Sequence, residues 1–253
     1  MKNKFEFLKS SNFKIMLSAL SILAVMSCSN EDDNNTNTNT AAIEETDVVD
    51  VVETSLAKET YGMSKSMETA VVYSEEQNVF TENPDLECGH LYNDAYNESY
   101  NSDNFSYDFS INRAYQLNCD ENGNASSLAY NMNYTGVYDA PRMASDDDGV
   151  LGYVLSGLSP DEDAVLFEGN YTRNGSQESK VRHMNAFTST LIFDISNVAV
   201  SKTTYQIMSG TSLVSFTGIS SNGNEYHFNG KLTFNGDETA TLVLNGNTYI
   251  INL

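Results

Sequence analysis

The chain from about residue 86 onward alternates apolar and polar residues with a period of two. In "NFSYDFSIN" (104–112), Phe105, Tyr107, Phe109 and Ile111 occupy every second position. The same alternation appears in "NEYHFNGKLTFNG" and in the final "NTYIINL". Such a pattern is typical of antiparallel strands that place one face on a core and the other in water. It predicts a mainly β fold.

Asn-Gly pairs separate several of these runs. Those at 222–223, 235–236 and 245–246 lie between segments of strand length, and both residue types tolerate the positive φ of tight hairpin turns. The pair at 229–230 lies inside a run and is compatible with a bulge. The pattern predicts an antiparallel meander of about 9–11 strands, either a sandwich or a strongly curved sheet. The predicted strands lie near 86–92, 104–118, 127–139, 150–156, 164–173, 187–199, 204–208, 212–219, 224–234, 239–245 and 247–253.

Residues 46–75 follow a different period. Apolar side chains recur there at helical spacing in two stripes, on either side of Gly62. Thr46 or Asp47 is suited to cap the first stripe, and Gly62 is suited to end it. We expect one broken helix or two short ones, packed on the sheet, although the valine pairs would also suit a strand. The stripes are Val48, Val51, Val52, Leu56 and Ala57, followed by Met63, Met67, Ala70 and Val71.

The first 27 residues have the features of an export signal. Four lysines precede an apolar run at 15–26, which is shorter than the roughly 20 residues that span a bilayer. The following "VMSC" (25–28) resembles the bacterial lipobox. The resemblance implies that Cys28 carries a diacylglycerol and acyl chains such as palmitate, and that residues 1–27 are removed. An ordinary signal peptide followed by a chance cysteine is the alternative.

Acidic residues follow Cys28 directly, at Glu31, Asp32 and Asp33. This cluster resembles the export signal of surface-exposed lipoproteins of the Bacteroidetes. It implies a lipid anchor in the outer membrane that faces the cell exterior, with the periplasmic face as the alternative. The polar "EDDNNTNTNTAA" cannot bury enough apolar surface to order itself. The expected organisation is therefore a signal peptide (1–27), a lipidated cysteine and tether (28–45), a helical segment (46–75) and a β domain (76–253).

The negative net charge of the chain excludes some classes of binding partner. The chain has a formal net charge of −22 at pH 7. Removal of residues 1–27, which contain four lysines and one glutamate, makes the remainder more negative. Such a surface repels phosphate backbones and anionic lipid headgroups. We therefore expect no nucleic-acid partner, and contact with the membrane through the lipid anchor alone.

Two further cysteines, Cys88 and Cys119, predict a disulfide because exported proteins fold in an oxidising compartment. Closing a loop of this length contributes roughly 3–4 kcal/mol in the chain-entropy model. The alternative is a metal site that adds His90. The Cys-x-His spacing, however, is not that of zinc fingers or ribbons, and no fourth ligand is evident. We expect no metal and no cofactor.

Acidic runs at Asp146–Asp148 and at 161–163 supply oxygen ligands that Ca²⁺ prefers. The "DENGN" at 120–124 resembles the start of a calcium loop, but Asn131 stands where that loop needs glutamate. We interpret 120–124 as a hairpin turn and the acidic runs as solvated loops.

Tyrosine is abundant, with 15 in the chain and no tryptophan. Tyrosines on neighbouring predicted strands could line a surface that stacks on glycans or peptides. The alternative is that their rings are half-buried in the sheet, as tyrosine in strands commonly is. Around Tyr92, Tyr96 and Tyr100 the asparagine-rich context predicts a loop. The candidate ligand surface comprises Tyr107, Tyr130, Tyr134 and Tyr138.

Motifs of catalysis are absent from the sequence. Its histidines are His90, His183 and His227. The sequence contains no G-x-S-x-G nucleophile elbow, no H-E-x-x-H zinc-protease motif, no phosphate loop and no dinucleotide-binding fingerprint. We expect no enzymatic activity, although two carboxylates could still lie close enough together in the fold to hydrolyse glycosides.

The order of features, from lipobox to C-terminal meander, resembles small uncharacterised lipoproteins of flavobacteria. The resemblance covers most of the chain after Cys28 and implies no activity. The sequence therefore predicts a surface-exposed envelope lipoprotein that acts as a non-catalytic binding or structural module for a glycan, protein or other ligand. The alternatives are a carrier of lipid or small apolar ligands, and a hydrolase or hydrolase accessory for extracellular polymers.

Overall fold

The computed structural model describes residues 42–253. Two helices come first, α1 (Glu45–Leu56) and α2 (Met63–Glu76), joined through a short 3-10 turn at Lys58–Thr60. Ten strands follow without further helices within this range, so the predicted mainly β fold is confirmed. The strands are β1 (Leu91–Asn101), β2 (Ser106–Cys119), β3 (Ala125–Asp139), β4 (Met143–Ser156), β5 (Ala164–Ser179), β6 (Ala186–Ser201), β7 (Ile207–Ser220), β8 (Glu225–Phe234), β9 (Thr239–Leu244) and β10 (Asn247–Asn252).

All ten strands belong to one antiparallel sheet in which each strand pairs with the next. The predicted meander is confirmed, and the single sheet decides against a sandwich. The sheet is not closed, because β1 and β10 are both edges. Strand β10 and the distant strand β3 nevertheless both contact α1, through Tyr249 and Tyr138 respectively. The sheet must therefore curl around the helical segment.

The helices form where the apolar stripes predict them. Helix α1 begins slightly earlier than expected, with Glu44 as its N-cap, and the Glu44 amide donates to the Asp47 carboxylate at 3.0 Å. Gly62 separates the two helices as predicted. A Cβ atom there would lie 2.6 Å from the carbonyl oxygen of Ser55 and 2.7 Å from that of Ala57. Glycine is required because the chain turns back closely against the end of α1.

The core lies between the helices and the inner face of the sheet. Large aromatic side chains fill it, including the fully buried Phe109, Phe167 and Phe193. Buried tyrosines reach the helices through their hydroxyl groups. Tyr138 hydrogen bonds with Thr54 at 2.9 Å and Tyr153 with Ser66 at 3.1 Å. Each such bond satisfies a polar atom that would otherwise be costly to bury.

Some strand boundaries differ from the prediction. The asparagine-rich segment expected as a loop is strand β1, and β4 begins at Met143, so the acidic run lies within a strand. The separate strand expected at 204–208 does not form, since β7 begins at Ile207. Asn229 and Gly230 pair in regular register and form no bulge. The Asn-Gly pairs at 222–223, 235–236 and 245–246 join strands, as predicted.

The end of the predicted tether belongs to the folded part. Ile43 is buried, and the Asn185 side chain donates to the Ala42 carbonyl oxygen at 3.1 Å. The predicted boundary at residue 45 is therefore placed too late. Cys28, the signal region and the rest of the tether lie outside the described residues.

Candidate functional site at the seam beside the first helix

Helix α1 presents one side between the two edges of the sheet. Residues Glu45, Val49, Glu53 and Ala57, one helical turn apart, are half-buried, while most of the helix around them is buried. Glu45 accepts hydrogen bonds from Asn247 at 3.0 Å and from Tyr249 at 2.7 Å, which ties the start of α1 to β10. We call this side of α1 the seam stripe.

Two arginines from hairpin loops also hold α1 against the sheet. Arg142, between β3 and β4, donates from Nε to Asp50 at 2.8 Å. Arg182, between β5 and β6, donates to Asp47 at 2.7 Å and also contacts Asp50. Both carboxylates are nearly inaccessible to solvent. Their charges are therefore compensated within the fold, as buried charges must be.

A third arginine lies fully inside. Arg173 Nε donates to Asp147 at 2.5 Å, and Nη1 donates to the Thr54 carbonyl oxygen in the last turn of α1 at 3.3 Å. The guanidinium also lies 4.7 Å from the ring centre of Tyr138. Burial alone would lower the pKa of Arg173, but the Asp147 carboxylate and nearby tyrosines outweigh it, and the pKa is raised. This pair is a permanent ionic link between the sheet and α1.

A pocket of about 320 Å³ opens beside the seam stripe. It lies between the end of α1, the hairpins that join β1 to β2 and β3 to β4, and the end of β10. We call it the seam pocket. Its size falls at the lower end of the range for small-molecule sites. Its apolar walls are Ala57, Phe105, Ala140, Pro141 and Leu253.

One half-buried carboxylate in the seam pocket, that of Glu53, lacks an ion-pair partner in the described part of the chain. Asp50 lies at its edge but is paired with two arginines. Glu53 forms no ion pair with any residue in 42–253, and burial raises its pKa above the usual 4.5. Glu59 also lines the pocket and is exposed. The arrangement can place a negative charge against an apolar wall, which suits a positively charged group.

Shallow grooves also cross the outer face of the sheet. One of them, of about 530 Å³, is lined mainly by polar side chains of neighbouring strands. Asn174 donates to Asp148 at 2.9 Å and accepts from Thr190 at 2.8 Å. Exposed Asp148 and half-buried Asn174 and Thr190 thus satisfy one another across the strands. The groove offers hydrogen-bonding groups without an aromatic platform.

The sequence-predicted site residues are widely separated. Cys88 and Cys119 form the predicted disulfide, with Cα atoms 5.7 Å apart, which ties the chain entering β1 to the end of β2. Cys28 cannot be placed, because it precedes residue 42. Neither Cys88 nor Cys119 lines the seam pocket.

The expected tyrosine surface does not form. Tyr107, Tyr130, Tyr134 and Tyr138 lie on the inner face, and the most accessible of them is 8% exposed. The reason is phase: these positions of β2 and β3 share the face that carries the apolar residues, and the helices cover that face. Tyr134, for example, hydrogen bonds with Tyr171 at 2.5 Å inside the core. These four tyrosines are more deeply buried than the alternative of half-buried rings predicts.

The candidate metal and acid groups are dispersed. Asp120 accepts backbone hydrogen bonds at 2.8 Å from Asn122 and from Asn124, which confirms the hairpin turn. His90 packs against a tyrosine ring, and His227 lies on the outer face near Thr217. Across residues 42–253, no three His, Cys, Asp or Glu side chains are arranged to hold a metal ion.

Sequence reasoning missed Arg173 and Glu53, and it wrongly assigned Asp147 to a solvated loop. Asp147 shares the phase of Leu151 and Tyr153 in β4, and Arg173 shares that of Tyr171 in β5. A strand beginning at Met143 would have revealed that Asp147 points inward, and the predicted strand at 164–173 already gives Arg173 the phase of Tyr171. Glu53 lies between the apolar positions of α1 and leaves their helical spacing intact, so the sequence gives no signal for it. Only the curl of the sheet brings the hairpin loops beside it.

Comparison with known proteins returned no matching family model, no similar curated protein and no similar solved structure. Within residues 42–253, neither helix combines the length and the apolar character that crossing a membrane requires.

Proposed function

We propose that this chain is an envelope lipoprotein, anchored through Cys28 in the outer membrane and displayed outside the cell, whose folded part is a rigid, non-catalytic binding or structural module. The observation that supports a rigid module is that packed side chains fill the interior of the fold. Helices α1 and α2 occupy the inner face of the sheet, and their side chains pack among its aromatic residues. The inner face therefore does not favour a carrier with a central apolar cavity.

The charged side chains support the same proposal. The three most buried carboxylates, Asp47, Asp50 and Asp147, each pair with arginine. A catalytic carboxylate needs access to substrate and a pKa set for proton transfer. These three are instead engaged in joining the helix to the sheet.

The lipid anchor is supported by the sequence at 25–28. Cys28→Ser should abolish labelling by radioactive palmitate and release the protein from the membrane fraction, because serine lacks the thiol that accepts the lipid. The double variant Cys88→Ser/Cys119→Ser is the matched control and should keep the label. Label retained by Cys28→Ser, or never acquired by the natural protein, would refute the anchor.

Surface display is tested separately. Proteinase K added to intact cells should degrade the protein while a periplasmic marker survives. Replacing Glu31, Asp32 and Asp33 with uncharged amides should retain the lipid but protect the chain, because the acidic cluster is what favours export to the outer face. Full protection of the natural protein would place it on the periplasmic face.

A further inference from the structure

The seam pocket combines a half-buried, unpaired carboxylate with an apolar wall. From that juxtaposition we propose that it binds a small organic ammonium ion whose apolar part lies against Phe105 and Pro141 and whose charged group meets Glu53. The inference gives the proposed binding module a class of ligand, and so it rests on that proposal.

Charge complementarity is the first argument. Asp47, Asp50, Arg142 and Arg182 neutralise one another in a single network at the edge of the pocket. Glu53 forms no ion pair within residues 42–253, and only a hydrogen bond from the Asn252 side chain and the more distant Arg142 guanidinium partly offset its charge. A charge held away from water is costly unless a partner of opposite sign approaches it. An ammonium group is such a partner, and a carboxylate ligand would be repelled.

The position of the pocket is the second argument. Glu53 lies on the half-buried seam stripe, whereas Asp50 on the same helix is buried beneath two arginines. An occupant can therefore reach Glu53 without disturbing the core. Stability alone does not require an unpaired carboxylate at such a position.

The shape of the pocket limits the occupant. Its volume of about 320 Å³ admits a small molecule or the end of a side chain. The walls from Ala57, Phe105 and Pro141 offer apolar contact, so an ammonium ion with a short apolar body should bind better than ammonium itself.

The test uses the purified natural protein in mild detergent, with benzylammonium, benzyl alcohol and benzoate as probes in calorimetric titrations. Benzylammonium should bind saturably in the millimolar range or tighter. Benzyl alcohol should bind at least about tenfold more weakly, and benzoate should show no binding, because only the ammonium pairs with Glu53. Equal binding of alcohol and ammonium, or none by any probe, would overturn the proposal.

Variants locate the site. Glu53→Gln keeps the shape and removes the charge, and should weaken benzylammonium binding at least about tenfold. Glu168→Gln makes the same change in net charge on the exposed outer face and should leave affinity unchanged. Phe105→Ala should weaken binding by removing a wall. If Glu53→Gln binds as the natural protein does, or if Glu168→Gln weakens binding equally, the assignment to this pocket fails. The palmitate and binding assays probe different parts of the chain, so failure of one is distinguishable from failure of the other.

Discussion

The two faces of the sheet use the same residue types for different purposes, and strand β4 displays both. Asp146 and Asp148 point outward and are exposed, whereas Asp147 between them is 3% exposed and paired with Arg173. Because side chains alternate along a strand, three consecutive aspartates have two unlike environments. Phase within the strand, more than residue identity, decides which acid is structural.

Hydrogen bonding differs in the same way between the faces. Inside, Ser145 donates to Asp147 at 2.6 Å and Ser189 donates to Gln177 at 3.0 Å, both in buried positions. Outside, polar side chains such as Asn174 and Thr190 also pair, but water can replace each partner. Loss of an inner bond should therefore cost far more than loss of an outer one.

The largest difference between the faces should come from the aspartates themselves. Asp147→Asn leaves Arg173 charged and buried without its partner, and should lower the free energy of unfolding by about 3–5 kcal/mol. Asp148→Asn should change it by less than about 0.5 kcal/mol, because the side chain is exposed. Urea denaturation of both variants measures the contrast. Equal losses of unfolding free energy would contradict the assignment of Asp147 to the inner face and of Asp148 to the outer face.

Neighbouring apolar residues of β4 give a second contrast. Leu151→Ala removes a fully buried side chain and should cost about 2–5 kcal/mol, through lost burial and the cavity left behind. Val150 is 59% exposed, so Val150→Ala should cost less than about 0.5 kcal/mol. Thermal unfolding monitored by circular dichroism resolves the two. A larger effect at residue 150 would contradict the inner and outer assignment.

Tyrosine hydroxyl groups offer a smaller contrast. Tyr134→Phe leaves the Tyr171 hydroxyl without its partner in the core, and should cost about 1–3 kcal/mol. Tyr100 is 47% exposed at the sheet edge, and Tyr100→Phe should be close to neutral. Chemical denaturation is again the measurement. A neutral Tyr134→Phe would mean that water reaches that part of the core.

The smallest effect concerns Glu53 and depends on pH. Burial, followed by the Asp50 charge, raises its pKa in the folded state, although a hydrogen bond from Asn252 and the Arg142 charge oppose the shift. The folded protein therefore binds this proton more tightly than the unfolded chain does, and the corresponding stability is lost as pH rises through the folded pKa. Glu53→Gln should gain stability relative to the natural protein between pH 4 and pH 7. A constant difference across that interval would argue against the shift.

Much of the fold follows from local patterns. The valine stripe and Gly62 predict both helices, and alternation with Asn-Gly turns predicts the C-terminal hairpins, because each signal involves residues close in the chain. Strand β1 was missed since asparagine favours loops, and here pairing with β2 overrides that preference. The start of β4 was missed because an acidic run suggests a solvated loop.

The candidate site was not predictable in the same way. The Glu53 environment depends on Phe105, on Pro141 and on the end of β10, which lie far apart in the sequence. Only the curl of the sheet brings them together. Arg173 likewise meets Asp147 through a strand register that composition does not reveal. The tyrosines were misplaced because residue type indicates strand formation and leaves the face undecided.

The meander also constrains the order in which the molecule can assemble. Neighbouring strands meet through short turns, so hairpins can form quickly one after another. Glu45, by contrast, bonds to Tyr249 at the other end of the chain, a separation of 204 residues. The contact between α1 and β10 can therefore form only after every other strand has been made. A nascent or translocating polypeptide would thus keep this side of α1 uncovered until β10 has been made or exported. A variant without β10 should remain compact but lose the Tyr249 contact, and proteases should attack it first at α1.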